Sequence, residues 1–145
     1  MKKNSGRVLA LYITKDDANK TRLSKQSIKV DADGVEEDKF YAKDPQRTIL
    51  ITTQESYALA EANNIAIEKG LLGENILIDI NPYSLLPGQK LTIGDVELEI
   101  TQNCTLCKGL TSVHSKLPKL LKNDRGIFAK VCNKATISVG DAVLF

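Results

Sequence analysis

Short β-branched and apolar runs, broken by glycine, proline and aspartate, recur along the whole chain. This spacing restricts the fold more than any other feature. Residues 6–13 read as a buried strand. Residues 26–30 alternate, with Ile28 and Val30 on one face, and read as a half-buried strand. The acidic stretch 31–46, with Gly34 and Pro45, reads as a loop, and 47–53 as the next strand. Further strands are expected at 76–80, 90–93, 96–101 and 127–132, with two short ones on either side of Gly140 and Asp141. Gly94 and Asp95 mark a hairpin, and type I′ geometry would require positive φ at both. Val96, Leu98 and Ile100 alternate with Glu97, Glu99 and Thr101, a strand with one wet face.

Helical spacing appears twice. Thr52 and Glu55 have capping-box spacing, Leu59, Ala62 and Ile65 or Ala66 form an apolar stripe, and Gly70 stands at a C′ position. These signals predict a helix over 54–69. Leu106, Leu110, Val113, Leu117 and Leu120 repeat at helical intervals, and Pro118 is expected to split that segment into two short helices. About eight strands, few helices and no strand–helix–strand alternation predict a mainly β (α+β) fold. The expected form is a closed or partly closed barrel with one long and one or two short helices.

The 145 residues suit one domain, 1–145, large enough to bury a core without disulfides, with residues 1–5 expected to be flexible. The net charge of +2 is unevenly spread. Residues 1–30 carry eight basic and two acidic groups, 31–44 six acidic and two basic, and 108–134 seven basic and one acidic. The two basic stretches can converge on an anion such as a phosphate. With no Trp, few aromatics and no nucleic-acid motif, nucleic acid is not expected as a partner. No apolar run approaches the ~20 residues of a membrane span. The run Val8 to Ile13 after the basic start is too short for a signal peptide, so a cytoplasmic location is expected.

Three cysteines, an odd number, point to thiol chemistry or burial rather than a disulfide framework. Cys104 and Cys107 lie where a strand ends and helical spacing begins. A helix N-terminus stabilises a thiolate, and Lys108 adds positive charge. Redox exchange of the thioredoxin kind would need a βαβ context. A structural zinc site could draw on Cys104, Cys107, His114 and Cys132, although their spacing matches no standard zinc motif. A reactive or ligating thiol in a pocket is the third reading. His114, the one histidine, is either a general base or an ordinary surface residue. No Walker A, dinucleotide-binding or nucleophile-elbow motif occurs.

Several blocks together resemble the MOSC domain, named for the C-terminal part of molybdenum cofactor sulfurase. They are Gly34 to Asp38, Arg47 to Leu50, Gly73 to Asn75, Leu86 to Gly88 with Leu91 to Gly94, Cys104 with Cys107, Arg125 to Val131, and Val139 to Asp141. The resemblance covers nearly the whole chain and implies a MOSC-type β-barrel. It implies a cysteine that ligates molybdenum in bound molybdenum cofactor (molybdopterin) or carries sulfur as a persulfide. The segment from Cys107 resembles the amidoxime-reducing branch and favours Cys107 as catalytic residue and molybdenum ligand; the place directly after a strand suits Cys104. Asp38, Arg47, Asn75 and Arg125 match positions implied to bind cofactor, with Lys39 near them and Glu74 beside Asn75. Guanidinium groups pair bidentately with phosphate.

The sequence departs from small family members in the first loop. Glu37 stands before Asp38 where glycine is frequent, and Phe40 and Tyr41 stand where a histidine is expected. The implied partners are the cofactor itself or a sulfur-donor protein. A molybdenum-dependent reductase of N-hydroxylated compounds, with a separate redox partner, is the alternative enzyme. A non-catalytic binding module with structural zinc is the remaining alternative.

Overall fold

The computed structural model describes residues 4–19, 21–104 and 114–145. In chain order the strands are β1 (Ser5–Thr14), β2 (Arg22–Lys25), β3 (Ser27–Asp31), β4 (Gly34–Val35) and β5 (Ile49–Thr53). They continue with β6 (Ile76–Ile78), β7 (Lys90–Ile93), β8 (Val96–Asn103), β9 (Ile127–Val131), β10 (Ala135–Ser138) and β11 (Ala142–Leu144). Among the described residues the helices are α1 (Gln54–Ala62) and α2 (Leu117–Leu120).

Among the described residues, seven strands hydrogen-bond in the order β11-β7-β8-β9-β5-β6-β1, and β1 returns to β11. The sheet therefore closes into a barrel, which removes its edges. A second sheet, β10-β3-β4, sends Ile28, Val30, Val35 and Ile137 into the same core. Alternation decides which side chains enter. Val96, Leu98 and Ile100 of β8 point inward with Ile127, Ala129 and Val131 of β9. Outside, Lys90 pairs with Glu97 at 2.8 Å and Lys130 with Glu99 at 3.4 Å. Exposed pairs of this kind contribute only about 0–1 kcal/mol, so the inward face carries the stability.

Three expectations change in the structure. The first concerns α1, which ends at Ala62 rather than 69. Asn64 takes the left-handed conformation, φ 63°, that the sequence assigned to Gly70. Asparagine tolerates that region because its short polar side chain bonds locally. Second, the capping box does not form. Thr53, not Thr52, is the N-cap, and its side chain makes no cap bond. Third, the buried face of α1 is Ser56, Tyr57 and Ala60, while Ala62 and Ala66 are exposed.

Two local readings are also refined. Only Gly94 has positive φ in the β7–β8 hairpin, so the turn is not type I′. β5 and β6 run parallel, joined through α1, so one strand–helix–strand unit does occur. Pro118 lies in the first turn of α2, where its missing N–H costs nothing. Residues 105–113, with Leu106, Leu110 and Val113, lie outside the described residues.

Alternation along the strands also creates a second core outside the barrel. Ile76 and Ile78 of β6 point inward, while Leu77 points outward. Leu77 belongs to one buried cluster with Tyr57, Ala60, Ile65, Leu72, Leu117 and Leu121. This cluster fixes both helices and the 63–75 connection against β6.

Candidate functional site

Cys104 directly follows β8 and is buried. Its N–H donates to the Gly126 carbonyl at 3.0 Å. This places Cys104 beside Arg125 and Gly126, which lead into β9. Cys107, the molybdenum ligand favoured by sequence, and Lys108 lie outside the described residues.

The segment before β9 is held by three elements in succession. Ser56 of α1 donates to the Asp124 carbonyl. Thr52 of β5 donates through Oγ1 to the Arg125 carbonyl at 2.9 Å. Cys104 takes the Gly126 carbonyl. A Cβ on Gly126 would stand 2.7 Å from Leu50 Cδ1 and 3.0 Å from the Ile51 carbonyl oxygen, so only glycine fits without displacement. Residues 124–126 are therefore clamped, and the Arg125 side chain leaves from a fixed backbone.

The Arg125 guanidinium donates through Nε and Nη2 to the Leu72 carbonyl, at 3.3 and 3.1 Å. Arg47 lies over the Phe128 ring, 5.9 Å from its centroid. Phe128 and Leu50 are register partners on the outer face of β9 and β5. Leu50 Cδ2 and Arg125 Nη2 come within 4.0 and 3.6 Å of one point beside Gly73. Arg47, Phe128, Leu50 and Arg125 thus form one continuous outer patch. Two half-exposed guanidinium groups share it with the strand end that carries Cys104.

Asn75 and Asp38 sit elsewhere in the wall. Asn75 is buried; its Oδ1 accepts from Leu50 N–H at 3.1 Å and its Nδ2 donates to the Tyr12 carbonyl at 3.2 Å. It thereby joins β5 to β1. Asp38, also buried, accepts from Thr14 N–H at 2.7 Å and from Phe40 N–H at 3.1 Å. It fastens the first loop to the end of β1. Lys39 stands over the exposed Phe40 ring, 4.7 Å from its centroid. Tyr41 donates to Asp31 at 2.6 Å, and that bond pushes the phenol up to about 12.

Other sequence candidates do not converge with Cys104. Cys132 is exposed beyond the far end of β9, where its N–H donates to the Glu97 carbonyl. It lies five residue steps along the strand from Ile127, the partner of Asn103, a distance of about 16 Å. A zinc site using both Cys104 and Cys132 does not assemble. No metal-binding cluster of His, Cys, Asp and Glu occurs among the described residues. His114 accepts the Lys116 N–H at Nδ1, a local bond that shapes the approach to α2.

Sequence reasoning missed the hydroxyl groups around the clamp. Tyr83 accepts from Thr53 N–H at 3.1 Å and lies 2.7 Å from Ser56 Oγ. Because the Ser56 proton goes to Asp124, Tyr83 donates to Ser56. Burial pushes the Tyr83 phenol up to about 12, so it stays protonated at neutral pH. Tyr57 donates to Glu74 Oε2 at 2.5 Å and accepts from Gly70 and Leu72 N–H groups at 2.8 and 3.4 Å. Glu74 is fully buried, and desolvation raises its carboxyl above the ordinary range despite the Tyr57 bond and nearby Arg22. Polar residues scattered over α1 and two loops leave no periodic trace in a sequence.

The MOSC domain family model matches residues 38–144. The structure of YuaD from Bacillus subtilis is similar with a TM-score of 0.83 at 19% identity, covering 99% of this chain and 97% of that one. YiiM from Geobacillus stearothermophilus gives 0.71 at 17% identity, with 97% and 75% covered. YiiM from Escherichia coli gives 0.68 at 19% identity, with 96% and 69% covered. At these identities the likeness shows a shared fold. No curated protein matches the chain by sequence.

Proposed function

Since this chain belongs to the MOSC domain family, which is associated with molybdenum cofactor binding, we propose that it holds molybdopterin, carries sulfur on a cysteine, or does both. The observation that supports this most is the clamped Arg125 beside Cys104, with Arg47 on the same outer patch. The donor set suits the group. Two guanidinium groups match a phosphate, and a thiolate matches a soft metal or sulfane sulfur. When bound, the cofactor would supply a soft, redox-active metal centre.

The chain's own residues then have separable tasks. Arg125 and Arg47 bind the phosphate end. The thiolate of Cys104 or Cys107 is the soft ligand. In sulfur carriage that thiolate attacks the sulfane sulfur of a donor persulfide. A new cysteine S–S bond forms, the donor S–S bond breaks, and the donor leaves as a thiolate. A sulfur-donor protein is the corresponding partner. Such thiols persist in the reducing cytoplasm, the location this reading assigns. No helix among the described residues is long and apolar enough to cross a membrane.

Intact mass and elemental analysis of protein from its native host test the reading. Retained pterin with molybdenum, or one added sulfur atom removed by a reducing agent, would support it. Protein with neither, purified under gentle anaerobic conditions, would count against it. One zinc per chain with unfolding by chelator would select the structural-zinc module instead.

A further inference from the structure

The fixed backbone of Arg125 does not by itself fix its guanidinium. Its Nε and Nη2 both donate to the Leu72 carbonyl, on the turn that runs from Gly70 to Asn75. That turn contains two positive-φ glycines, Gly70 at 95° and Gly73 at 90°. Yet Leu72 is fully buried. The groups that hold the turn are therefore the groups that place the Leu72 carbonyl.

One side chain reaches the turn from α1. The Tyr57 hydroxyl accepts Gly70 N–H and Leu72 N–H, and donates to Glu74 Oε2. It bonds both ends of the turn at once. From β2, Arg22 Nη2 donates to the Gly70 and Glu74 carbonyls at 2.7 Å each. Arg22 Nη2 also stands 3.8 Å from Glu74 Oε1, a buried oxygen with no hydrogen-bond partner. A carboxylate buried this deeply is expensive to keep unless its remaining bond is used. Here that bond orients the Tyr57 O–H toward Glu74. The hydroxyl lone pairs are then left facing the two backbone N–H groups.

We propose that Tyr57 and Glu74 are positioning residues for Arg125, acting through the Leu72 carbonyl to aim its guanidinium at the phosphate of the bound anion. The aiming is a statement about this chain; its use rests on the reading of Arg125 as a phosphate-binding residue. Neither residue touches the anion. Tyr57→Phe removes the acceptor of both N–H groups and the donor to Glu74. Glu74→Gln keeps a carbonyl acceptor for Tyr57 but removes the charge that draws its proton.

Heteronuclear NMR of the Arg125 Nε–H resonance reads the orientation directly, and inorganic phosphate serves as the probe anion. In Tyr57→Phe, and to a smaller degree in Glu74→Gln, the Arg125 Nε–H line should shift and its hydrogen exchange should accelerate at least tenfold. Phosphate affinity should weaken about tenfold. Ile137→Val, which loosens the barrel core away from this turn, should leave both unchanged. An Arg125 line unmoved in the folded variants would overturn the proposal. If the line moves while even the unaltered protein fails to bind phosphate, the positioning stands and the phosphate reading falls. Should neither variant fold, exchange in the unaltered chain decides. Gly70 N–H, Leu72 N–H and Arg125 Nε–H should open with one shared rate under mild denaturant, and independent opening would refute the linkage.

Discussion

Glu37 has φ 71° in the first loop, a conformation that side chains with a Cβ adopt at a cost of roughly 1–2 kcal/mol. It is also the position where the family resemblance leads one to expect glycine. The departure seen in the sequence thus falls at a left-handed step of the backbone. The next residue explains why the strain is tolerated. Asp38 must turn inward to accept the Thr14 and Phe40 N–H groups, and the left-handed step at Glu37 aims it there. Glu37→Gly should therefore raise stability by about 0.5–1 kcal/mol, after glycine's own entropic cost is subtracted. Chemical denaturation with an unchanged m-value checks this, and a loss of stability would refute the account. Asn75 gives the opposite case. Asn75→Ala leaves Leu50 N–H and the Tyr12 carbonyl buried without these partners, at about 1–3 kcal/mol for each group. Protein never exposed to cofactor should already show that loss in a urea titration. Unchanged stability there would mean that the amide serves only a ligand.

At the scale of elements, the entrance to β9 carries the most constraint. Gly126 lies against Leu50 Cδ1, the Ile51 carbonyl and Thr52 Oγ1, all on β5. Gly126→Ala should push β9 from β5 at its first residue and strain the Thr52 bond to Arg125. Overpacking of this kind costs about 1–3 kcal/mol. Thermal unfolding would measure it, and a variant as stable as the parent would show that the entrance yields easily. Most strands were legible from alternation, as β8 shows, but β2 was not anticipated and β4 lies inside the stretch that reads as a loop. Val96, Leu98 and Ile100 are buried and Glu97 and Glu99 face outward, as the pattern requires. The barrel's closure was legible only as a class. The β1–β11 pairing joins Ser5 to Leu144, and no local rule encodes a contact that long. Helix α1 was found but misjudged in length, because Asn64 ended it six residues before the glycine that the cap rule favours. The site divides in the same way. Cys104 and the Arg125 block were visible as motifs, and their adjacency follows from the β8–β9 pairing. The clamp from Thr52 and Ser56 was invisible, since Thr52 read as a helix cap and Ser56 carried no signal at all.

For the whole molecule, pH dependence follows from which protons the folded barrel holds more tightly than the open chain. Glu74 holds its proton more tightly because burial raises its carboxyl above the ordinary value of 4.5. Its contribution to stability is then fully present below that value and is lost as pH rises through the raised one. Asp31 is shifted the other way, chiefly by its bond from Tyr41, so its contribution is lost only as pH falls below 3.8. The two windows do not overlap. Tyr83 and Tyr41, both raised to about 12, cause a further loss of stability above the ordinary phenol value of 10. Unfolding temperature should accordingly decline as pH rises above that carboxyl value, toward neutrality. Glu74→Gln removes the proton exchange responsible, so its curve should be flatter over that interval and should rejoin the parent's slope in alkali. Thermal unfolding followed by circular dichroism across a pH series separates the two curves. Parallel curves would mean that Glu74 is ionised alike in the folded and unfolded chain, and that Arg22, 3.8 Å away, offsets its burial.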